Sequence, residues 1–288
     1  MDSLPPMRER ICLVTGATSG IGKMTALGLA QQGAIVVLVG RDREKCELTL
    51  REIKLQTGNE AVDYFVADMS SQQQVRKLVE EYKHRYHKLH VLINNAGVLM
   101  FRRELSCDGI ELTLATNYFG PFLLTNLLLD TLKASAPARI INVTSVAHKF
   151  IKFDLTKLQT VRGSLAYPAS KFAIILFTYE LARRLETCGV AVNAVHPGVV
   201  ATNLGWNSGF PGQMVMSAVN WLGRAVSPEE GAETVIYLAT SPDGGAVSGK
   251  YFVRNRAVPS AKPTYDEAKA KRLWEMSVAL TGIKSLLP

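Results

Sequence analysis

Short apolar runs alternate along the chain with longer stretches whose apolar residues recur every three or four positions. The first run, residues 11–15, is continuous in Ile, Cys, Leu and Val, as in a strand buried on both faces. A glycine turn follows, then a helical period to about Gln32, with Gly33 placed as its C-cap. Similar runs at 34–39, 61–67, 91–93, 139–145, 190–195 and 248–253 predict six more strands. Helical periods fill 42–56, 70–86, 109–132, 167–186, a stretch opening at Ser227-Pro228, and 263–280 with Trp274. Strand and helix alternate throughout. The expected fold is therefore α/β: a doubly wound, Rossmann-type, mainly parallel seven-stranded sheet with helices on both faces. No linker, repeat or low-complexity segment divides residues 1–288, so one domain is expected.

Residues 203–226 break the pattern. They carry Trp206, Phe210, Met214, Met216 and Trp221 with no clear period, and Gly and Pro in both halves. Such a segment fits a lid over an apolar substrate, or else a contact surface.

The chain has 288 residues and is 47% hydrophobic, enough for one large core. The net charge of +8 raises the question of nucleic acid. The densest run, residues 83–88, ends a predicted helix, where cations suit the dipole, and no basic stripe interleaved with aromatics exists. Nucleic acid is not an expected partner. The five histidines lack metal-ligand spacing, so no metal is expected. Cys12, Cys46, Cys107 and Cys188 form no CxxC pair and read as reduced thiols. Residues 1–10 have no apolar core of a signal peptide, and no apolar run reaches membrane-spanning length. The expectation is a cytoplasmic protein without a transmembrane anchor, with peripheral membrane contact allowed.

Candidate chemistry sits where strands end. Gly16-x3-Gly20-x-Gly22 joins a strand to a helix, the context in which glycines let backbone approach a pyrophosphate at a helix N-terminus. Arg41 follows the second strand, where an acid would bind a ribose 2′-hydroxyl and a cation can pair with a 2′-phosphate. Lys23 adds a second cation, Asp42 complicates the reading, and a solvated helix start is the alternative. NADP(H) is the preferred cofactor, with NAD(H) as second choice. Tyr167 and Lys171 lie four apart on one helix face. A free tyrosine is a poor acid–base at neutral pH, and a nearby ammonium favours the phenolate and lowers its pKa. Ser145, ending the fifth strand, can hold a substrate oxygen.

In this order and company, the glycine turn, Asn94-Asn95-Ala96-Gly97, Asn117, Ser145, Tyr167-x-x-x-Lys171 and Pro197-Gly198 resemble the short-chain dehydrogenase/reductases, from about residue 11 to residue 252. Closer features are Thr144-Ser145-Val-Ala-His148, a longer than usual Ser145–Tyr167 interval holding Phe150 and Phe153, and His196-Pro197-Gly198-Val-Val200-Ala-Thr202. With Pro228-Glu-Glu-Gly-Ala and Ser248-Gly-Lys-Tyr-Phe, these resemble the retinol dehydrogenase-like branch. That branch usually carries an N-terminal membrane anchor, which residues 1–10 do not resemble.

The resemblance implies a catalytic set of Asn117, Ser145, Tyr167 and Lys171, with Asn117 holding a water that links the lysine to solvent. It implies cofactor contacts from Gly16, Thr18, Ser19, Gly20, Ile21, Gly22, Lys23, Arg41, Asp68, Met69, Asn95, Ala96, Gly97, Tyr167, Lys171, Pro197, Gly198, Val200 and Thr202. Asp68 would bind the adenine ring, with helix capping as its alternative. Candidate substrate contacts are His148, Trp206, Phe210 and Met214, with packing near the Ser145 loop the other reading of His148. The expected activity is interconversion of an apolar alcohol and its aldehyde or ketone, retinal-like, steroid or lipid. A cofactor-binding regulatory protein is the alternative. The family often pairs the helices bearing Asn117 and Tyr167 across a subunit interface, which implies a homodimer or homotetramer.

Overall fold

The structure is a computed structural model that describes residues 7–152, 154–161, 163–198 and 226–284, apart from the side chains of 157 and 159. Eight strands form one sheet in the order β3-β2-β1-β4-β5-β6-β7-β8. They are β1 Ile11–Thr15, β2 Ile35–Gly40, β3 Val62–Val66, β4 Val91–Asn94, β5 Ala138–Val143, β6 Val190–His196, β7 Lys250–Val253 and β8 Arg256–Val258. The first seven run parallel, and β8 returns antiparallel to β7.

Side chains alternate between the sheet's faces, and both faces are buried. On β1, Leu13 joins one apolar core while Cys12 and Val14 join the other. This is why the strands read as unbroken apolar runs. Helices α1 Gly20–Gln31, α2 Arg43–Thr57, α3 Gln72–Arg85, α4 Leu112–Ala134, α5 Ala166–Arg184, α6 Pro228–Thr240, α7 Pro242–Ala246 and α8 Glu267–Thr281 complete the described layers. Helix α4 is long and apolar enough to cross a membrane, but it lies inside the protein as a core helix.

The sheet has eight strands where seven are expected. Arg254 and Asn255 take positive φ values of 48° and 61° and turn the chain in two residues, so Val253 pairs with Arg256. A tight hairpin favours this left-handed pair of conformations, usually written with Asn-Gly. Arg-Asn does not announce it. The C-terminal helix starts at Glu267, not 263, because Lys262–Tyr265 form a separate 3-10 turn.

Helix α8 also bears on assembly. Its Trp274 stacks on Phe177 of α5 and meets Phe122 of α4 edge-on. The guanidinium of Arg184 lies over the same indole. The helices expected to pair between subunits are thus covered by the chain's own C-terminal helix.

Candidate active site

The chain winds from β1 to β2 and β3 on one side, then returns to place β4 on the other side of β1. That reversal opens a crevice at the carboxyl ends of β1 and β4, where open α/β sheets take ligands. Thr15 is its hub. Its Oγ1 donates to the Ile93 carbonyl and accepts from the amides of Asn95 and Ala96. The Asn95 side chain donates to the carbonyls of Thr15 and Gly16. Asn95 therefore ties the two loops together. Sequence reasoning passed over Thr15, since a threonine ending a strand carries no distinctive signal.

The glycine turn is shaped by close approach. Gly16 and Gly20 have φ values of 64° and 52°. A Cβ on Gly22 would collide with the Gly16 carbonyl oxygen and the Asn95 amide. Ser19 flanks α1 in an extended conformation and makes no side-chain cap, and the first turn of α1 holds no acidic residue. Its leading N–H groups are left for an anion, which fits a dinucleotide pyrophosphate. Ile21 of α1 packs against the core, and Thr18 lies against Gly40 at the end of β2.

Next to this turn, Arg41 is exposed. The Asp42 carboxylate accepts the Lys45 amide as the N-cap of α2. Lys23 is engaged with Glu52 and is not a free second cation. Asp68 accepts both the amide and the hydroxyl of Ser70 through Oδ1, while Ser71 caps α3. The carbonyl of the buried Met69 is met so closely by Gly120 that any side chain there would clash.

Asn117 lies in a π-helical turn, Ala115–Phe119, inside α4. Pro121 explains it: proline has no N–H to offer the Asn117 carbonyl four residues earlier, and its ring crowds that position. The Gly120 amide bonds instead to the Ala115 carbonyl. The fully buried Asn117 side chain accepts from Val98 N at 2.7 Å and donates to Val98 O and to Ser170 Oγ, both at 3.0 Å. Ser170 Oγ in turn donates to the Tyr167 carbonyl at 2.7 Å. The sequence reading gave no role to Ser170 or to Thr144, whose hydroxyl donates to the Lys171 carbonyl. Their only signal was adjacency to Lys171 and Ser145.

Tyr167, Lys171, Ser145 and Asn117 converge here. The Ser145 side chain faces the Tyr167 phenol closely enough to lower the phenol's pKa, while Ser145 Oγ accepts the Ala147 amide at 3.2 Å. The Lys171 ammonium lies 5.5 Å from the centre of the Tyr167 ring and donates to the Val143 carbonyl at 3.1 Å. Gly97 leaves room for the tips of Asn117 and Lys171. Burial pushes the Lys171 pKa down to about 8. Tyr167 departs from expectation: burial raises its pKa, and the nearby Ser145 hydroxyl offsets only part of that rise. Desolvation outweighs the Ser145 effect, and the phenol is protonated at neutral pH.

His148, a candidate substrate contact, is wholly buried with both ring nitrogens bonded inside the protein. Pro197 and Gly198 leave β6 at the same sheet edge, Gly198 with φ of 95°. Val200, Thr202, Trp206, Phe210 and Met214, with the rest of the lid segment, lie outside the described residues.

A family model described as short chain dehydrogenase matches residues 10–209. Human retinol dehydrogenase 13 is 43% identical over 95% of this chain and 85% of its own length. Human polyprenol dehydrogenase is 38% identical over 97% and 87%. Among solved structures, the Pseudomonas aeruginosa RhlG/NADP complex superposes with a TM-score of 0.71 at 30% identity, over 88% of this chain and 97% of that one. The chain belongs to the short-chain dehydrogenase/reductases, in their retinol dehydrogenase-like branch. It is an oxidoreductase of the nicotinamide-dependent type acting on CH–OH groups.

Proposed function

We propose that the protein interconverts an apolar alcohol and its aldehyde or ketone with NADP(H), using Tyr167 as acid–base. The observation that carries this is the convergence of Tyr167 and Ser145 with Lys171 and Asn117 at the carboxyl edge of the sheet. When bound, the nicotinamide supplies or accepts the hydride. The protonated Tyr167 phenol gives its proton to the substrate oxygen in reduction and takes it back in oxidation. Ser145 donates a hydrogen bond to that oxygen. Lys171, partly neutral because of burial, is poised to exchange protons near pH 8. Asn117 fixes the tyrosine's helix turn through Ser170.

The glycine turn and the uncapped start of α1 would hold the pyrophosphate, and Asp68 the adenine side. Preference for NADP(H) rests on exposed Arg41 beside an Asp42 already engaged as a helix cap. The relatives named for retinol and polyprenol favour a long apolar alcohol here as well. Residues 203–226 supply Trp206, Phe210 and Met214 for such a substrate, and burial of its surface would contribute about 25 cal/mol per Å2.

The test is steady-state reduction of a chain-length series of aldehydes, with retinal and a steroid ketone, using NADPH and NADH. Long or ring-bearing carbonyls with NADPH should have the highest kcat/KM, and Tyr167→Phe should lower kcat by about a hundredfold or more. A flat profile, a preference for NADH, or a Tyr167→Phe variant within threefold of wild type overturns the corresponding part.

A further inference from the structure

We propose that His148 is a positioning residue that places the Ser145 hydroxyl against Tyr167, acting as a neutral strut between the Ser145 loop and the segment after β8. The proposal rests on the reading of Ser145 as the hydrogen-bond donor to the substrate oxygen.

Hydrogen-bond chemistry fixes the imidazole's state. The Ala261 amide donates to Nε2 at 3.1 Å. An amide N–H can only donate, so Nε2 carries a lone pair and the hydrogen sits on Nδ1. Nδ1 then donates to the Ser145 carbonyl at 2.7 Å. The same carbonyl also accepts the His148 amide at 3.3 Å. Tyr251 meets the ring edge-on with centroids 5.2 Å apart. The ring is fully buried, and no other orientation keeps both bonds.

The strut closes a circuit. Ala261 follows Ser260, whose hydroxyl is 2.8 Å from the Tyr179 phenol. Tyr179 lies on α5, the helix that carries Tyr167 and Lys171. The Ser145 turn is thus tied to α5 by Thr144, whose hydroxyl donates to the Lys171 carbonyl, and by the path through His148, Ala261, Ser260 and Tyr179. The strut holds the Ser145 backbone from which the hydroxyl projects, and the hydroxyl accepts the Ala147 amide at 3.2 Å on the same turn. The β7–β8 hairpin, unexpected from sequence, delivers the far end of the strut.

Charge supports the neutral form. Burial lowers the His148 pKa; the bond to the Ser145 carbonyl works against this and Lys149 on its own turn works with it, leaving the pKa below the ordinary value. His196 on β6 is its other titrating neighbour, and the Tyr251 phenol of β7 is held protonated by burial.

Two substitutions separate the arms of the strut. In His148→Asn the amide nitrogen replaces Nδ1 and keeps the bond to Ser145. In His148→Gln the amide oxygen replaces Nε2 and keeps the bond to Ala261. With NADPH and retinal or decanal, His148→Gln should lose about a hundredfold in kcat, the scale of a misplaced reacting group. NADPH affinity should hold within about twofold, the level of a small perturbation. His148→Asn should recover most of that loss. In a Ser145→Ala background, His148→Gln should cost little more, since it acts through the serine. Equal kcat losses in the two variants, tracking their Tm, overturn the proposal, as does full additivity with Ser145→Ala.

Nitrogen-15 spectra of histidine-labelled protein test the strut without turnover. His148 should show the Nδ1–H tautomer at pH 7, and an Nε2–H or doubly protonated ring overturns it. If wild type turns over no carbonyl, the functional reading fails, and the positioning role fails with it. A wrong tautomer with normal turnover removes the strut alone.

Discussion

At the scale of single residues, the site combines groups that work against the stability of the fold. Lys171 is almost entirely buried and carries its charge into the interior, with a carbonyl as its described partner. Its folded pKa of about 8 lies below the ordinary lysine value of about 10.4. The charged form is therefore penalised below pH 8, and stability recovers as pH rises from 8 towards 10. Lys171→Met should unfold at an equal or higher temperature than wild type at pH 7 while kcat falls by about a hundredfold or more. A calorimetric Tm several degrees lower would contradict this.

His196 works in the opposite pH range. Burial, with His148 and Lys149 nearby, lowers its pKa to about 4, and its Nδ1 is buried without a partner among the described residues. Unfolded histidine titrates near 6.5, so this contribution is complete above that pH and is lost as pH falls to about 4. Urea unfolding between pH 4 and 7 should show stability falling with acidification. His196→Asn should flatten that slope, and an unchanged slope would assign the loss to other groups.

At the scale of elements, two departures from regular geometry shape the site. The π-helical turn in α4 follows from Asn117, Gly120 and Pro121 acting together. Proline breaks the α-pattern at Asn117, and glycine lets the helix close on Met69. The β7–β8 hairpin is the other. Arg254 and Asn255 both hold positive φ, a strained choice for arginine. Arg254→Asn with Asn255→Gly supplies residues suited to that turn and should stabilise the protein by about 1 kcal/mol. Chemical denaturation reads this directly. A loss of stability would mean that the Arg254 side chain contributes more than its backbone costs.

At the scale of the whole molecule, α8 covers the outer surface of α4 and α5 with Trp274, Leu273 and Ala270. Aromatic packing of this kind resembles a protein interior more than a surface waiting for a partner. The protein should run as a monomer in light scattering at micromolar concentration. A stable dimer that survives dilution would have to use another face, and cross-linking would locate it.

The sequence alone determined the parts that repeat a simple physical rule. Seven strands are legible because a strand buried on both faces must be apolar throughout, and the helices because burial on one side imposes a period. The glycine turn and Tyr167-x-x-x-Lys171 are legible because close backbone approach and a shared helix face demand particular spacings. What the sequence left open depends on contacts between distant segments. Lys23 reads as a free cation until Glu52 is found beside it, and His148 reads either as a substrate contact or as packing near the Ser145 loop until Ala261 arrives from far along the chain. Thr15 becomes a hub only once β4 is laid against β1. Tyr167 is raised, not lowered, because the cost of burying a phenolate depends on everything packed around it. Spacing along a chain encodes local geometry, whereas desolvation and long-range pairing exist only once the chain has folded.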